Sequence, residues 1–159
     1  MDKEKQKDFT MRITQANRTE LLVVTYDILI EEIKEADENY KAGNIDEYRR
    51  SLKSAQRFIA ELMATLDFNY PISAELLRLY EYVQRVLIKS DVSGTPYELD
   101  SAQRVIEGLR KAYVKVAETD DSPALMENTQ SVFAGLTYGK GSLNETDLDP
   151  NAANRGFLA

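Results

Sequence analysis

Apolar residues recur at helical spacing from Asn17 to Tyr40, and the interpretation of the whole chain starts from this segment. One stripe has spacings of three and four residues, which is typical of an amphipathic helix that faces a core. A second apolar set points away from that stripe in the first three turns, so this half of the helix needs a second cover. The stripe comprises Leu22, Tyr26, Leu29, Ile33, Ala36 and Tyr40, and the second set comprises Leu21, Val23, Val24, Ile28 and Ile30.

Capping residues predict where this helix and the next one begin and end. Asn17 followed by Glu20 has the spacing of a capping box, which predicts a helix start. Gly43 is placed to end the first helix, and Asn44 directly after it is a candidate N-cap for the second. The apolar stripe of the second helix continues to about Asp67. Because the connection is so short, we expect the two helices to form an antiparallel hairpin.

Two more amphipathic helices follow. The third is predicted over residues 73–90, and it is apolar over a broad part of its surface. The fourth is predicted to begin at Thr95, because Pro96 and Glu98 then occupy the preferred first and third helical positions. Its apolar stripe continues to about Glu118. No alternating pattern in the sequence favours a strand over these helices.

We therefore predict an all-α fold, an antiparallel up-down-up-down four-helix bundle over residues 17–121. Residues 1–16 are predicted to form a flexible N-terminal arm, and residues 122–137 are a candidate short fifth helix. Glycine, asparagine and acidic residues dominate thereafter, so we expect a disordered tail over residues 138–159.

The N-terminal arm carries an apolar residue at every second position, Phe9, Met11 and Ile13. Two interpretations stay open. The arm is either frayed, as chain ends commonly are, or it is extended and lays one apolar face on a hydrophobic groove. The second interpretation makes these three residues the cover of the surplus apolar surface on the first helix.

Composition narrows the class of protein. The chain has 159 residues, of which 43% are hydrophobic and 30% charged, as expected of one globular domain. Its net charge of −7 disfavours nucleic acid as a partner, since phosphates would be repelled. No apolar run approaches the roughly 20 residues of a membrane span. The charged N-terminus lacks the apolar core of a secretory signal, so we expect a cytoplasmic protein.

Catalytic chemistry is disfavoured by the residues that are missing. The sequence contains no histidine and no cysteine, which removes the usual triads, zinc sites and thiol chemistry. We therefore expect no enzymatic activity, no cofactor and no metal. Three glutamates of the first helix, Glu31, Glu32 and Glu35, are interpreted as a solvated face.

Four short motifs, in this order and spacing, resemble the flagellin export chaperone family, FliS, over the region from about Phe9 to Glu118. They are Tyr26-Asp27, the segment from Leu62 to Phe68, the segment from Leu79 to Tyr82, and Leu109-Arg110 with Tyr113. The resemblance implies a small helical cytoplasmic chaperone that binds the C-terminal segment of flagellin. It also implies that the chaperone prevents premature polymerisation and delivers flagellin to the flagellar type III export apparatus.

The surplus apolar surface then has three interpretations. It is buried by the bundle itself, it serves a scaffolding or dimerising bundle without a chaperone role, or it forms a groove for an amphipathic segment of another protein. An enzyme of unusual chemistry is the remaining class. For a chaperone, the C-terminal segment of flagellin is the expected partner, with the export gate and a second copy of the chain as further candidates. The predicted groove residues are Leu21, Val24, Ile28, Phe58, Tyr80 and Leu87.

Overall fold

Five α-helices make up the part of the chain that the structure describes, residues 1–126 of a computed structural model. No strand occurs among these residues, so the all-α prediction is confirmed. The helices are α1 (Lys3–Gln15), α2 (Arg18–Lys41), α3 (Ile45–Ala64), α4 (Ile72–Ser93) and α5 (Leu99–Ala117).

Helices α2 to α5 form a bundle. Helix α2 packs against α3 and α5, and α4 packs against the same two helices, which closes a ring of contacts. This ring fits the predicted up-down-up-down connectivity, in which consecutive helices are neighbours. Helix α1 lies outside the ring and packs chiefly on α2.

The stripe predicted on α2 faces the main core. Three tyrosines, Tyr26, Tyr48 and Tyr80, are almost fully buried there. The Tyr26 and Tyr80 hydroxyls form a hydrogen bond of 2.5 Å, and the Tyr48 hydroxyl donates to the Ser90 carbonyl at 3.0 Å. Buried hydroxyls need such partners, because an unpaired polar group in a core is costly. The core cluster comprises Tyr26, Leu29, Ile30, Ile33, Ala36, Tyr48, Leu52, Ala55, Ile59, Leu62, Leu76, Tyr80, Val83, Val86, Leu87, Leu99, Ala102 and Ile106.

Both ends of α2 follow the predicted capping chemistry. Asn17 accepts a hydrogen bond from the Glu20 backbone N–H, and the Glu20 carboxylate accepts one from the Asn17 N–H. Gly43 has a φ of 79°, the left-handed conformation that glycine adopts without strain. The Asn44 N–H donates to the Asn39 carbonyl, which completes a Schellman motif. Asn44 precedes α3 as predicted, but its side chain makes no capping bond.

Helix α5 begins later than predicted. Its first residue is Leu99, and Glu98 precedes it with a φ of 48° and no capping bond from its side chain. The reason lies near the C-terminal end of α4. The Ser90 hydroxyl accepts a hydrogen bond from the Tyr97 N–H at 3.0 Å and donates to the Tyr97 carbonyl at 3.2 Å. Since both backbone groups of Tyr97 are bonded to α4, the segment before Leu99 is held out of helical geometry.

The extended conformation considered for the N-terminal arm is wrong, because most of residues 1–16 form α1. Phe9 and Ile13 are four residues apart, so they share one face of a helix and both are half-buried, whereas Met11 is exposed. At the other end, residues 122–126 are not helical. The remainder of the candidate fifth helix, residues 127–137, and the predicted disordered tail, residues 138–159, lie outside the described residues.

Candidate functional site

Three buried apolar residues of α2 lie outside the core cluster. Val23, Val24 and Ile28 are only 8%, 3% and 5% exposed. They belong to the second apolar set of the sequence, whose member Ile30 is instead part of the core cluster. Because they are nevertheless buried, another element covers them, and α1 is the helix that packs on α2 from outside the ring. These three residues are called the outer face of α2.

The cover over this face has few apolar contacts of its own. Of the thirteen residues of α1, only Thr14 is buried. Its apolar residues Phe9 and Ile13 are half-buried, and the Arg12 guanidinium lies over the Phe9 ring at 5.7 Å. A helix that buries so little of itself is bound less firmly than one inside a core, since apolar burial is the main source of packing stability.

Ion pairs supply much of the contact between α1 and α2. Three carboxylates of α2 at four-residue spacing pair with cations of residues 1–15 in reversed order, so α1 runs antiparallel to α2. The pairs are Arg12 with Asp27 at 2.6 Å, Lys5 with Glu31, and the Met1 ammonium with Glu35 at 2.6 Å. The hydrogen bond to Glu35 raises the pKa of the Met1 ammonium. Of these pairs only the one made by Lys5, whose side chain is 53% exposed, is open to water, and such a pair stabilises little.

The three glutamates interpreted as a solvated face are therefore mostly covered. Glu31 pairs with Lys5 of α1, Glu35 pairs with the Met1 ammonium just before α1, and Glu32 is buried. The Ser54 hydroxyl of α3 donates to the Glu32 carboxylate at 3.0 Å, and burial raises the pKa of this carboxyl group. The interpretation from charge pattern was wrong here because it did not include a fifth helix beside α2.

Asp27 connects α1 to the bundle. Its Oδ2 accepts a hydrogen bond from Nη2 of Arg12 in α1, and its Oδ1 accepts one from Nε of Arg110 in α5. The side chain is only 14% exposed, so the carboxylate is largely removed from water. Charge-assisted bonds of this kind are stronger than neutral ones, and they fix geometry as well.

An open cavity of about 530 Å³ lies where α1, α2 and α5 meet. Its apolar walls include Val23 and Val24 of the outer face, with Val114 of α5 opposite. Charged residues border it, so it offers an apolar pocket with polar edges, a common form of binding site. The remaining lining residues are Arg12, Gln15, Ala16, Glu20, Ala117 and Glu118.

The segment after α5 returns to the junction of α1 and α2. Nδ2 of Asn17 donates to the Asp120 carbonyl at 3.0 Å, and the Thr19 hydroxyl donates to the Asp120 carboxylate at 2.5 Å. The Leu125 N–H donates to the Ala16 carbonyl at 3.0 Å. Hydrogen bonds from Ser122 and Thr19 lower the pKa of Asp120. Residues 120–125, called the clasp, are therefore hydrogen-bonded to the junction between α1 and α2.

The family model described as flagellar protein FliS matches residues 1–120. The chain belongs to the FliS family. The matched region includes all five helices, so α1 is part of the FliS domain, and the resemblance noted in the sequence is confirmed. No curated protein matches the chain. Membership of FliS supports a role as a flagellar export chaperone and not as an enzyme.

The structure distributes the predicted groove residues of this FliS chain over different environments. Val24 and Ile28 are buried on the outer face of α2, and Leu21 is half-buried nearby on the same helix. Phe58 is partly buried against the core cluster. Tyr80 and Leu87 are 1% and 0% exposed inside the core cluster. They are therefore core residues, and we correct their assignment to an open groove.

Sequence reasoning missed the ionic part of this FliS surface. Arg12, Asp27 and Arg110 come together although they are far apart in the chain. One signal was present: Asp27 is the only charged residue between Leu21 and Ile30, a segment that is otherwise mostly apolar. A charge in that position needs a partner when it is buried, and cationic residues elsewhere in the chain were the candidates.

Neither a membrane-spanning segment nor a metal centre is found in the described part of this FliS chain. None of the five helices is both long and apolar enough to span a bilayer. Among residues 1–126, no three acidic, histidine or cysteine side chains are grouped so that they can hold a metal ion.

Proposed function

We propose that this FliS chain is an export chaperone that binds the C-terminal segment of flagellin along α2. In this proposal, binding prevents premature polymerisation, and the complex delivers flagellin to the flagellar type III export apparatus. The observation that carries the proposal is the outer face of α2, a buried apolar surface that lies outside the core cluster under a largely polar helix. Family membership supports the chaperone role.

The flagellin segment binds in place of α1. Burying one aliphatic side chain contributes about 1.5 to 3 kcal/mol, so contacts with Val23, Val24 and Ile28 offset the several kcal/mol that ordering a flexible segment costs. Helix α1 competes weakly, because only one of its residues is buried. The apparent affinity for flagellin is reduced by the fraction of molecules in which α1 covers the site.

The cavity beside the outer face extends the apolar contact. Its walls join Val23 and Val24 to Val114, so an apolar side chain of the segment can insert between α2 and α5. Its charged edge contains Glu20 and Glu118. Charges at the edge of an interface set register and orientation more than affinity, so these carboxylates favour one alignment of the flagellin segment.

Titration calorimetry tests the proposal with two forms of flagellin, one complete and one without its C-terminal segment. We expect binding to the complete form only, together with suppression of its polymerisation in light scattering. Equal binding to both forms would contradict the proposed site of contact. Delivery is tested separately by measuring flagellin in the culture medium of a motile bacterium whose FliS is replaced by this chain.

The matched variants for this experiment are Ile28→Glu and Ile88→Glu. Ile28 is on the outer face, whereas Ile88 is on α4 and is 43% exposed. Both variants add the same charge at an isoleucine of a helix. We expect Ile28→Glu to lose flagellin binding and export, and Ile88→Glu to retain both.

A further inference from the structure

Asp27 is placed next to the outer face of α2. It directly precedes Ile28, and Val23 and Val24 lie one helical turn before it. A segment that covers these three apolar residues therefore also covers the Asp27 carboxylate. That carboxylate is already largely buried, at 14% exposure.

The two cations bound to Asp27 differ in how they are held. Arg110 is on α5, which belongs to the ring of four helices, and it bonds to Oδ1. Arg12 is on α1, outside the ring, and it bonds to Oδ2 at 2.6 Å. When α1 leaves the outer face, Arg110 stays in place and Oδ2 loses its donor.

An incoming segment must replace that donor. Covering a carboxylate oxygen without a hydrogen-bond partner costs the desolvation of a charge, which opposes binding. A lysine or arginine side chain of the segment removes this cost, and arginine reproduces the geometry of the departing Arg12.

We infer that Asp27 binds a cationic side chain of the flagellin segment in the place that Arg12 occupies in the free protein. The inference rests on the proposed function. It specifies the kind of partner: an amphipathic segment whose apolar residues contact Val24 and Ile28 and whose lysine or arginine lies within one turn of them. Asp27 is thus a specificity-determining residue of the site.

Two variants that break the same ion pair distinguish recognition of flagellin by Asp27 from the mere attachment of α1 by Asp27. Arg12→Gln releases α1 and leaves Asp27 intact, so binding of a synthetic peptide of the flagellin C-terminal segment should tighten. Asp27→Asn also releases α1 but removes the recognition charge, so binding should weaken by about tenfold or more. Tighter or unchanged binding in Asp27→Asn would overturn the inference, because Asp27 would then only hold α1. Circular dichroism of both variants verifies the fold.

The peptide provides a second arm that does not depend on the folding of Asp27→Asn. Each lysine and arginine of the peptide is replaced by glutamine in turn and titrated into the unmodified chain. We expect one replacement to weaken binding by about tenfold and to have no further effect on Asp27→Asn. A peptide with all its cations replaced that still binds within twofold overturns the inference. If the unmodified chain binds no flagellin peptide at all, the proposed function fails first, which is a distinguishable result.

Discussion

Two neighbouring residues of α2 offer a direct test of the two-sided helix. Ile28 and Leu29 are both buried, but only Leu29 belongs to the core cluster. Each is replaced by glutamate, which introduces the same charge one residue apart. We expect Ile28→Glu to fold and to lose flagellin binding, and Leu29→Glu to unfold.

The magnitudes follow from what covers each residue. A glutamate at position 28 lies under α1, and it reaches water when α1 moves away. The loss is then limited to the burial of one isoleucine, about 1.5 to 3 kcal/mol, against a usual total stability of about 5 to 15 kcal/mol. A glutamate at position 29 cannot reach water in this way, because Leu29 is enclosed by the ring of helices. There the loss of a buried leucine, about 2 to 5 kcal/mol, adds to the larger cost of an unpaired buried charge.

Far-UV circular dichroism with urea titration measures the fold of each variant, and calorimetry measures binding of the flagellin C-terminal segment. Ile88→Glu, at an exposed position of α4, serves as the control that keeps both fold and binding. Loss of fold in Ile28→Glu would place Ile28 in the core and refute the two-sided description of α2. A folded Ile28→Glu that binds flagellin normally would remove the outer face from the binding site.

Three further predictions concern α1 and the buried tyrosines. Deleting residues 1–16 should tighten flagellin binding and increase dye binding and self-association of the free protein, whereas weaker binding would make α1 part of the site. Tyr26→Phe and Tyr80→Phe should each cost about 1 to 2 kcal/mol in urea unfolding, since each leaves one buried hydroxyl unpaired, and the double variant should cost less than their sum. Additive losses would contradict that coupling. Burial raises the pKa of Tyr80 from 10.0 to about 12, so the stability it contributes is complete below pH 10 and is lost as the pH rises through about 12. Urea midpoints across that range should fall, and they should fall less in the double variant.

The bundle was predictable because its signals are local. The stripe through Tyr26, Leu29 and Ile33 has the period of a helix, and it faces the core cluster. Asn17 with Glu20, and Gly43 after them, marked both ends of α2 through hydrogen bonds that span only a few residues. Such signals require no knowledge of the tertiary fold.

The features that the sequence did not predict depend on contacts between distant parts of the chain. Phe9 and Ile13 fit a strand face or a helix face equally well, and packing against α2 decides between them. The start of α5 moved because Ser90, on another helix, binds the backbone of Tyr97. Tyr80 and Leu87 were assigned to the groove because α4 is apolar over a broad surface, and only its neighbours determine which side becomes core.

The clasp at residues 120–125 anchors the C-terminal end of α1 to the bundle. Asn17 and Ala16 remain bonded to the clasp, so a displaced α1 stays tethered to the bundle by its C-terminal end. A short tether keeps the free helix at an effective concentration of about millimolar at its own site. In the proposed complex, α1 is therefore an intramolecular competitor that returns as soon as the cargo begins to leave. In this proposal, rebinding of α1 after each partial detachment of flagellin helps the chaperone to hand over its cargo.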